Sequence, residues 1–125
     1  MKTIGSTLFG CLLLVGQFSF AGRYLIPPLS QSLMKFEMSA PKFRLNNNFS
    51  LLVWNVHKGA DGQAWVNDMK TLAQSSDVFL LQEAMDDDLM TRMFQSEINS
   101  FDWHVAKSFT YTKTGISSGV ANASP

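Results

Sequence analysis

The sequence predicts an α/β fold, and three observations carry that reading. Residues 49–56 and 78–82 are short apolar runs rich in β-formers, the length of strands rather than of helices. Between them, Trp65, Met69 and Leu72 recur at the spacing of one helical face. Turn-forming residues, Gly59-Ala60-Asp61-Gly62 and Ser75-Ser76-Asp77, separate the three pieces. Strand, helix, strand in this order makes the two strands parallel, joined by a right-handed crossover. Composition agrees. A chain of 125 residues, 46% hydrophobic and 16% charged, suits one ordinary folded domain or the front part of a larger one, not a disordered chain. Ten basic and ten acidic residues exclude a strongly basic nucleic-acid-coating protein and an acidic tail. The lone Cys11 excludes an internal disulfide and a cysteine-only zinc site, and His57 and His104 match no zinc-ligand spacing.

The elements follow in chain order. Lys2 gives a positive start, residues 4–20 are apolar, and Ser19-Phe20-Ala21 offers small residues where a signal peptidase reads. Residues 1–21 are therefore expected to be a signal peptide cleaved after Ala21, which makes the protein exported and periplasmic. The alternative is an uncleaved anchor attaching the chain to a membrane through residues 4–21. Cleavage removes Lys2 and leaves nine basic against ten acidic residues, a net charge of −1. Residues 22–48 read as a linker, because Pro27, Pro28 and Pro41 interrupt helices and Asn46-Asn47-Asn48 forms turns. Within them Leu33, Met34, Phe36 and Met38 are candidates to pack on a domain edge. The domain spans 49–125. It opens with a strand over 49–56, apolar throughout as if buried on both faces, followed by a helix over 63–74 and a second buried strand over 78–82. Asp86-Asp87-Asp88 places negative charge at the start of a second helix, whose apolar face is Leu89, Met90, Met93, Phe94 and Ile98. Residues 101–106 and 118–123 read as further strands, with a loop carrying Thr110, Thr112, Thr114 and Gly115 between them.

Chemistry-bearing residues sit where such a fold binds ligands. Asn55 follows the first apolar run and Glu83 closes the second, and parallel α/β sheets bind ligands at the carboxyl ends of their strands. Neighbouring strands lie about 4.8 Å apart, so the amide and the carboxylate converge if these strands pair. Both are hard oxygen ligands suited to Mg2+ or Mn2+ rather than zinc. On spacing alone, a glutamate ending a strand equally well caps the next helix or meets solvent.

The run Leu52-Val53-Trp54-Asn55-Val56-His57-Lys58-Gly59, then Trp65, then Asp77-Val78-Phe79-Leu80-Leu81-Gln82-Glu83-Ala84, resembles the opening of the endonuclease/exonuclease/phosphatase superfamily. The form is similar to its small exported or membrane-associated bacterial branch. Ser118-Gly119-Val120-Ala121-Asn122-Ala123-Ser124 is similar to that branch's glycine-valine-alanine strand, with Pro125 where a basic residue is usual. The resemblance covers residues 49–125. It implies the N-terminal lobe of a four-layer α/β sandwich, two sheets packed face to face with helices outside. It also implies a divalent-metal-dependent phosphoesterase, of nuclease or phosphatase type. In that role Glu83 binds the metal, Mg2+ or Mn2+, and Asn55 lies beside metal and scissile phosphate and helps position both.

The superfamily's later histidine and aspartate motifs are not found in these residues. The resemblance thus implies the N-terminal part of a longer enzyme, inactive and poorly soluble on its own, with one sheet face, including some of Leu51, Val53, Phe79 and Leu81, lacking its partner. His57, two residues past Asn55, is a candidate substrate contact if strand alternation continues. His104 reads as a sheet residue, Lys58 as a solvated loop cation, Asp86 to Asp88 as a helix start, and Trp54 and Trp65 as core. The rival class is a non-catalytic exported interaction module using the same half-fold. The substrate, a nucleic acid or a small phosphoester, and the oligomeric state are not written in the sequence.

Overall fold

The computed structural model describes residues 22–37 and 45–125; the expected signal peptide 1–21, with Cys11, and Met38 and Pro41 of the linker lie outside the described residues. The elements are β1 (Tyr24–Leu25), β2 (Leu33–Phe36), β3 (Leu51–Asn55), α1 (Gln63–Ala73), β4 (Val78–Met85), α2 (Asp88–Arg92), β5 (Asp102–Tyr111) and β6 (Ser117–Ser124). The strands form one mixed sheet in the order β1-β5-β6-β4-β3, with β2 also paired to β5. The α/β expectation holds in this form, and β3 and β4 are parallel as the alternation of elements predicts. All other pairings are antiparallel. Among the described residues no helix is long and apolar enough to cross a membrane.

Both helices cover the same face of the sheet. Trp65, Val66 and Met69 of α1 are buried one helical turn apart, and Met90, Met93, Phe94 and Ile98 of α2 and the wide turn after it are buried with them. They form a single cluster with Phe79, Leu81, Trp103, Val105, Ala121 and Ala123 from the sheet. Phe94 stacks on Trp103 at 4.1 Å, and the Trp103 indole N–H donates to the Ile98 carbonyl at 3.2 Å; the indole nitrogen of the other buried tryptophan, Trp65, has no hydrogen-bond partner among the described residues. Asp87 caps α2 by accepting from the Met90 N–H at 2.8 Å.

The opposite sheet face is open. Leu51 and Val53 are 49% and 56% exposed, whereas Leu52 and Trp54 between them pack on the core. This corrects the expectation that the first strand is buried on both faces: it is an edge strand with alternating exposure. Phe79 and Leu81 likewise belong to the covered face, and it is Leu80 and Val120 that join Leu51 and Val53 on the open one.

The linker reading of 22–48 also changes. Residues 22–37 add β1 and β2 to the sheet beside β5, with Lys35 opposite His104 and Tyr24 opposite Tyr111. Met34 and Phe36 pack on the core as expected, while Leu33 on the other side of the strand is exposed. Prolines end helices but permit edge strands, which is why the interruption at Pro27 and Pro28 did not prevent pairing beyond it.

The register of β3 on β4 is pinned at their start. The Asp77 carboxylate accepts from the Ser50 N–H at 2.7 Å and its hydroxyl at 2.8 Å, and the Ser50 carbonyl accepts from the N–H groups of Asp77 and Val78. The hydrogen bonds from the Ser50 backbone and side chain hold the Asp77 carboxyl below its ordinary value of 3.8. A lowered folded value stabilises the fold above the ordinary value, and that contribution is lost as pH falls through the folded one. Acid unfolding is therefore expected to show a component that Asp77→Asn removes. Parallel acid titrations of both proteins, followed by circular dichroism, check this; superimposable curves would show that Asp77 is not coupled to folding.

Candidate functional site

Two β-bulges build the site, and both flank Gly119 of β6. On β4, Gln82 pairs with Val120 and Ala84 with Gly119, leaving Glu83 as the extra residue. On β5, Lys107 pairs with Gly119 and Phe109 with Ser118, leaving Ser108 extra. A bulge shifts the alternation of side chains by one. Trp103, Val105 and Lys107 lie on the helix-covered side; without the bulge Phe109 and Tyr111 would follow them. With it, Phe109 pairs with Ser118, and Phe109 and Tyr111 share the open face with Val120. The bulge on β4 likewise takes Glu83 out of the covered series of Phe79, Leu81 and Ala84.

Glu83 emerges beside the end of β3. Asn55 lies opposite Gln82 in the parallel register, and its side-chain amide donates to the Glu83 Oε1 at 2.8 Å. The Asn55 Oδ1 accepts from the His57 backbone N–H at 2.9 Å, which fixes which way the carboxamide faces. The convergence expected from the strand ends is thus present. Asn55 meets the carboxylate through its nitrogen, and one lone pair of its oxygen is already engaged by the main chain.

Backbone strain concentrates at the same spot. His57, Lys58 and Glu83 have φ of 47°, 60° and 55°, and they are the positive-φ residues other than glycine among the described residues. Left-handed backbone costs an L-residue roughly 1 kcal/mol or more, and such residues cluster where structure serves a site. The turn they belong to is held by hydrogen bonds from the Val56 N–H to the Gln82 carbonyl and from the Gly59 N–H to the Val56 carbonyl. Gly59, at φ +67°, lies against the buried Trp65 indole, with room for no side chain: a Cβ would sit 2.7 Å from Nε1. His57 therefore does not continue the strand alternation on which its substrate role was expected. Its side chain is exposed in the turn, and its backbone orients Asn55.

Lys58, read from sequence as a solvated cation, comes within 3.7 Å of Glu83 Oε2. Tyr111 first, then Glu83, raise the Lys58 ammonium above its ordinary value. The hydrogen bond from Asn55 holds the Glu83 carboxyl below the usual carboxylate range; partial burial opposes this, and the charges of Lys58 and His57 reinforce it. Glu83 is accordingly ionised at neutral pH with Oε2 turned toward a cation. Beside the pair opens a cleft of ≈ 330 Å³ between Lys58 and Glu83, Ser108 and Phe109, and Val120, with buried Ser118 and Gly119 at its base.

The donor set fits a magnesium-type cation in one respect. Mg2+ keeps several waters and is commonly held by one or two carboxylates together with substrate phosphate oxygens. Glu83 supplies one such carboxylate, and the Lys58 ammonium already sits at its cation-facing oxygen. Among the described residues, no group of three or more His, Cys, Asp or Glu that could hold a metal ion is present.

The remaining candidates are dispersed. His104 is exposed on β5 opposite Asn122. Asp86 forms a 2.6 Å ion pair with Lys107 on the helix side of the sheet, and Asp87 is the helix cap. Thr110 lies inside β5 with its hydroxyl 2.8 Å from that of Ser117, so the loop is shorter than expected. Ser108, Phe109 and Tyr111 were not legible as site residues, since two-residue periodicity places both rings on the covered face; only Gly119, small among apolar residues, hinted at a bulge. The chain matches no family model, no curated protein and no solved structure.

Proposed function

We propose that this sheet is one half of a four-layer α/β sandwich and that its cleft is the metal-binding part of a divalent-metal-dependent phosphoesterase. The observation that carries the reading is the Asn55–Glu83 pair at 2.8 Å, held in place by three strained non-glycine residues. A half-buried glutamate in a left-handed bulge position, where glycine is easier, is a poor choice for stability and a good one for presenting a carboxylate.

In this role Glu83 would hold Mg2+ or Mn2+ through its carboxylate, and Asn55 keeps that carboxylate from rotating. Lys58 places a second positive charge at the mouth of the cleft, where it pairs with a phosphate oxygen. When bound, the metal supplies charge neutralisation for the phosphoryl oxygens and a template for the attacking water. The open apolar face of Leu51, Val53 and Leu80, on the β3 and β4 side of the cleft, supports the second sheet, because apolar area left wet forfeits roughly 25 cal/mol per Å². With residues 1–21 as export signal or anchor, the protein acts outside the cytoplasm.

The test is Mn2+ binding, followed by the paramagnetic relaxation of water protons, together with hydrolysis of a simple phosphodiester by protein isolated from its own cells. The intact mass of that protein shows whether the chain continues past Pro125. Binding and turnover are expected to fall by at least about 100-fold in Glu83→Gln. Wild-type protein that neither binds Mn2+ nor hydrolyses the ester would sink the proposal. The open apolar face with β3 at the sheet edge among the described residues favours, as a second reading, a non-catalytic interaction module, in which Glu83→Ala leaves partner affinity intact.

A further inference from the structure

The bulge at Ser108 does more than shape the cleft, because it turns two aromatic rings to the open face and the β1 register brings a third. Tyr24 lies opposite Tyr111. The rings of Tyr24, Phe109 and Tyr111 meet edge to face, with centroids 4.9, 5.4 and 5.2 Å apart. Tyr24 is 52% exposed, so this cluster presents ring surface to solvent, and Phe109 lines the cleft together with Glu83.

Cations lie close to the rings in the chain. Lys58 adjoins Tyr111, Arg23 precedes Tyr24, and Lys113 lies in the turn after Tyr111, a turn tied to Arg23 by a hydrogen bond from the Thr112 N–H to the Arg23 carbonyl at 3.0 Å. Arg23 and Lys113 are both exposed. A chain with no net charge thus carries Lys58 at Tyr111 and two exposed cations, Arg23 and Lys113, on the residues that lead into and out of the aromatic cluster.

Resting on the phosphoesterase reading of the cleft, we propose that Tyr24, Phe109 and Tyr111 form a stacking platform for unpaired nucleobases, and that the substrate class is single-stranded nucleic acid. Planar bases stack on aromatic rings without sequence preference, and the ammonium and guanidinium groups take the flanking phosphates. A small phosphoester without a ring would leave the platform unused, and a duplex keeps its base faces within its own stack. Three phosphate contacts give a shallow salt dependence, with log affinity falling by about 2 per tenfold rise in salt for a single strand.

The experiment is fluorescence anisotropy in EDTA, so that neither metal nor turnover enters. The probes are an end-labelled thymidine octamer and an abasic strand of the same length and charge. The octamer is expected to bind about tenfold more tightly than the abasic strand, because one base stack is worth that much or more. Tyr24→Leu is expected to abolish the preference and Tyr24→Phe to retain it, with circular dichroism reporting that β1 remains paired in both. Arg23→Ala with Lys113→Ala should weaken both probes equally. Equal affinity for the two probes in the wild type, or no binding of either, overturns the proposal whatever the variants do. Failure of the phosphoesterase reading has a separate signature: an octamer bound with base preference, yet no Mn2+ binding and no hydrolysis.

Discussion

Replacing Gly119 with alanine is expected to lower the unfolding temperature by more than about 12 °C, equivalent to roughly 3 kcal/mol for a domain of this size. A Cβ at this position would stand 1.9 Å from the Ala106 carbonyl oxygen, 2.8 Å from its carbon and 3.0 Å from the Lys107 Cα. All three are backbone atoms of β5, so no rotamer change relieves the clash. The two strands must part, and with them go the register at Lys107 and Gly119 and the bulge that exposes Ser108, Phe109 and Tyr111. Thermal unfolding followed by circular dichroism reads the effect. A shift of less than about 4 °C would mean that β5 and β6 do not approach so closely.

Glu83→Gly and Glu83→Ala are expected to behave differently in stability and identically in metal binding. Both remove the carboxylate and its hydrogen bond to Asn55, so both should lose Mn2+ binding. Only glycine relieves the left-handed backbone at φ 55°, because alanine retains a Cβ that collides with the neighbouring carbonyl. Glycine should therefore unfold several degrees higher than alanine, about 4 °C for a difference near 1 kcal/mol. If the two variants melt together, the strain at the bulge is not real. If either keeps full Mn2+ affinity, Glu83 is not the ligand. The two findings together would show a carboxylate kept at a position where the backbone alone favours glycine.

Much of the framework was legible from local pattern. The helical spacing of Trp65 and Met69 and the apolar runs around Val53 and Leu80 marked α1 and β3 close to their observed bounds, and the start of β4, which runs on through Glu83 to Met85 rather than ending at Gln82. The acidic start of α2 was legible because a carboxylate near a helix N-terminus has a local reason to be there. Asn55 and Glu83 stood out because each polar residue closes an apolar run, and the parallel register does bring them together. Burial was less legible. Leu51 and Val53 have the hydrophobicity of core residues, but whether a strand is central or at an edge depends on pairings with segments far away in the chain. The same holds for residues 22–37, whose prolines suggested a spacer and whose partner strand begins some 70 residues later.

The sequence by itself determined the order of β3, α1, β4, α2, β5 and β6, and placed one amide and one carboxylate just after adjoining apolar runs, because those follow from periodicity and local propensity. Tertiary structure alone decided where Glu83 points, that Lys58 meets it, and that Phe109 and Tyr111 leave the covered face. A bulge is a property of two paired strands: one extra residue opposite Gly119 reverses the side of every residue after it, and no periodicity within a single strand records that reversal.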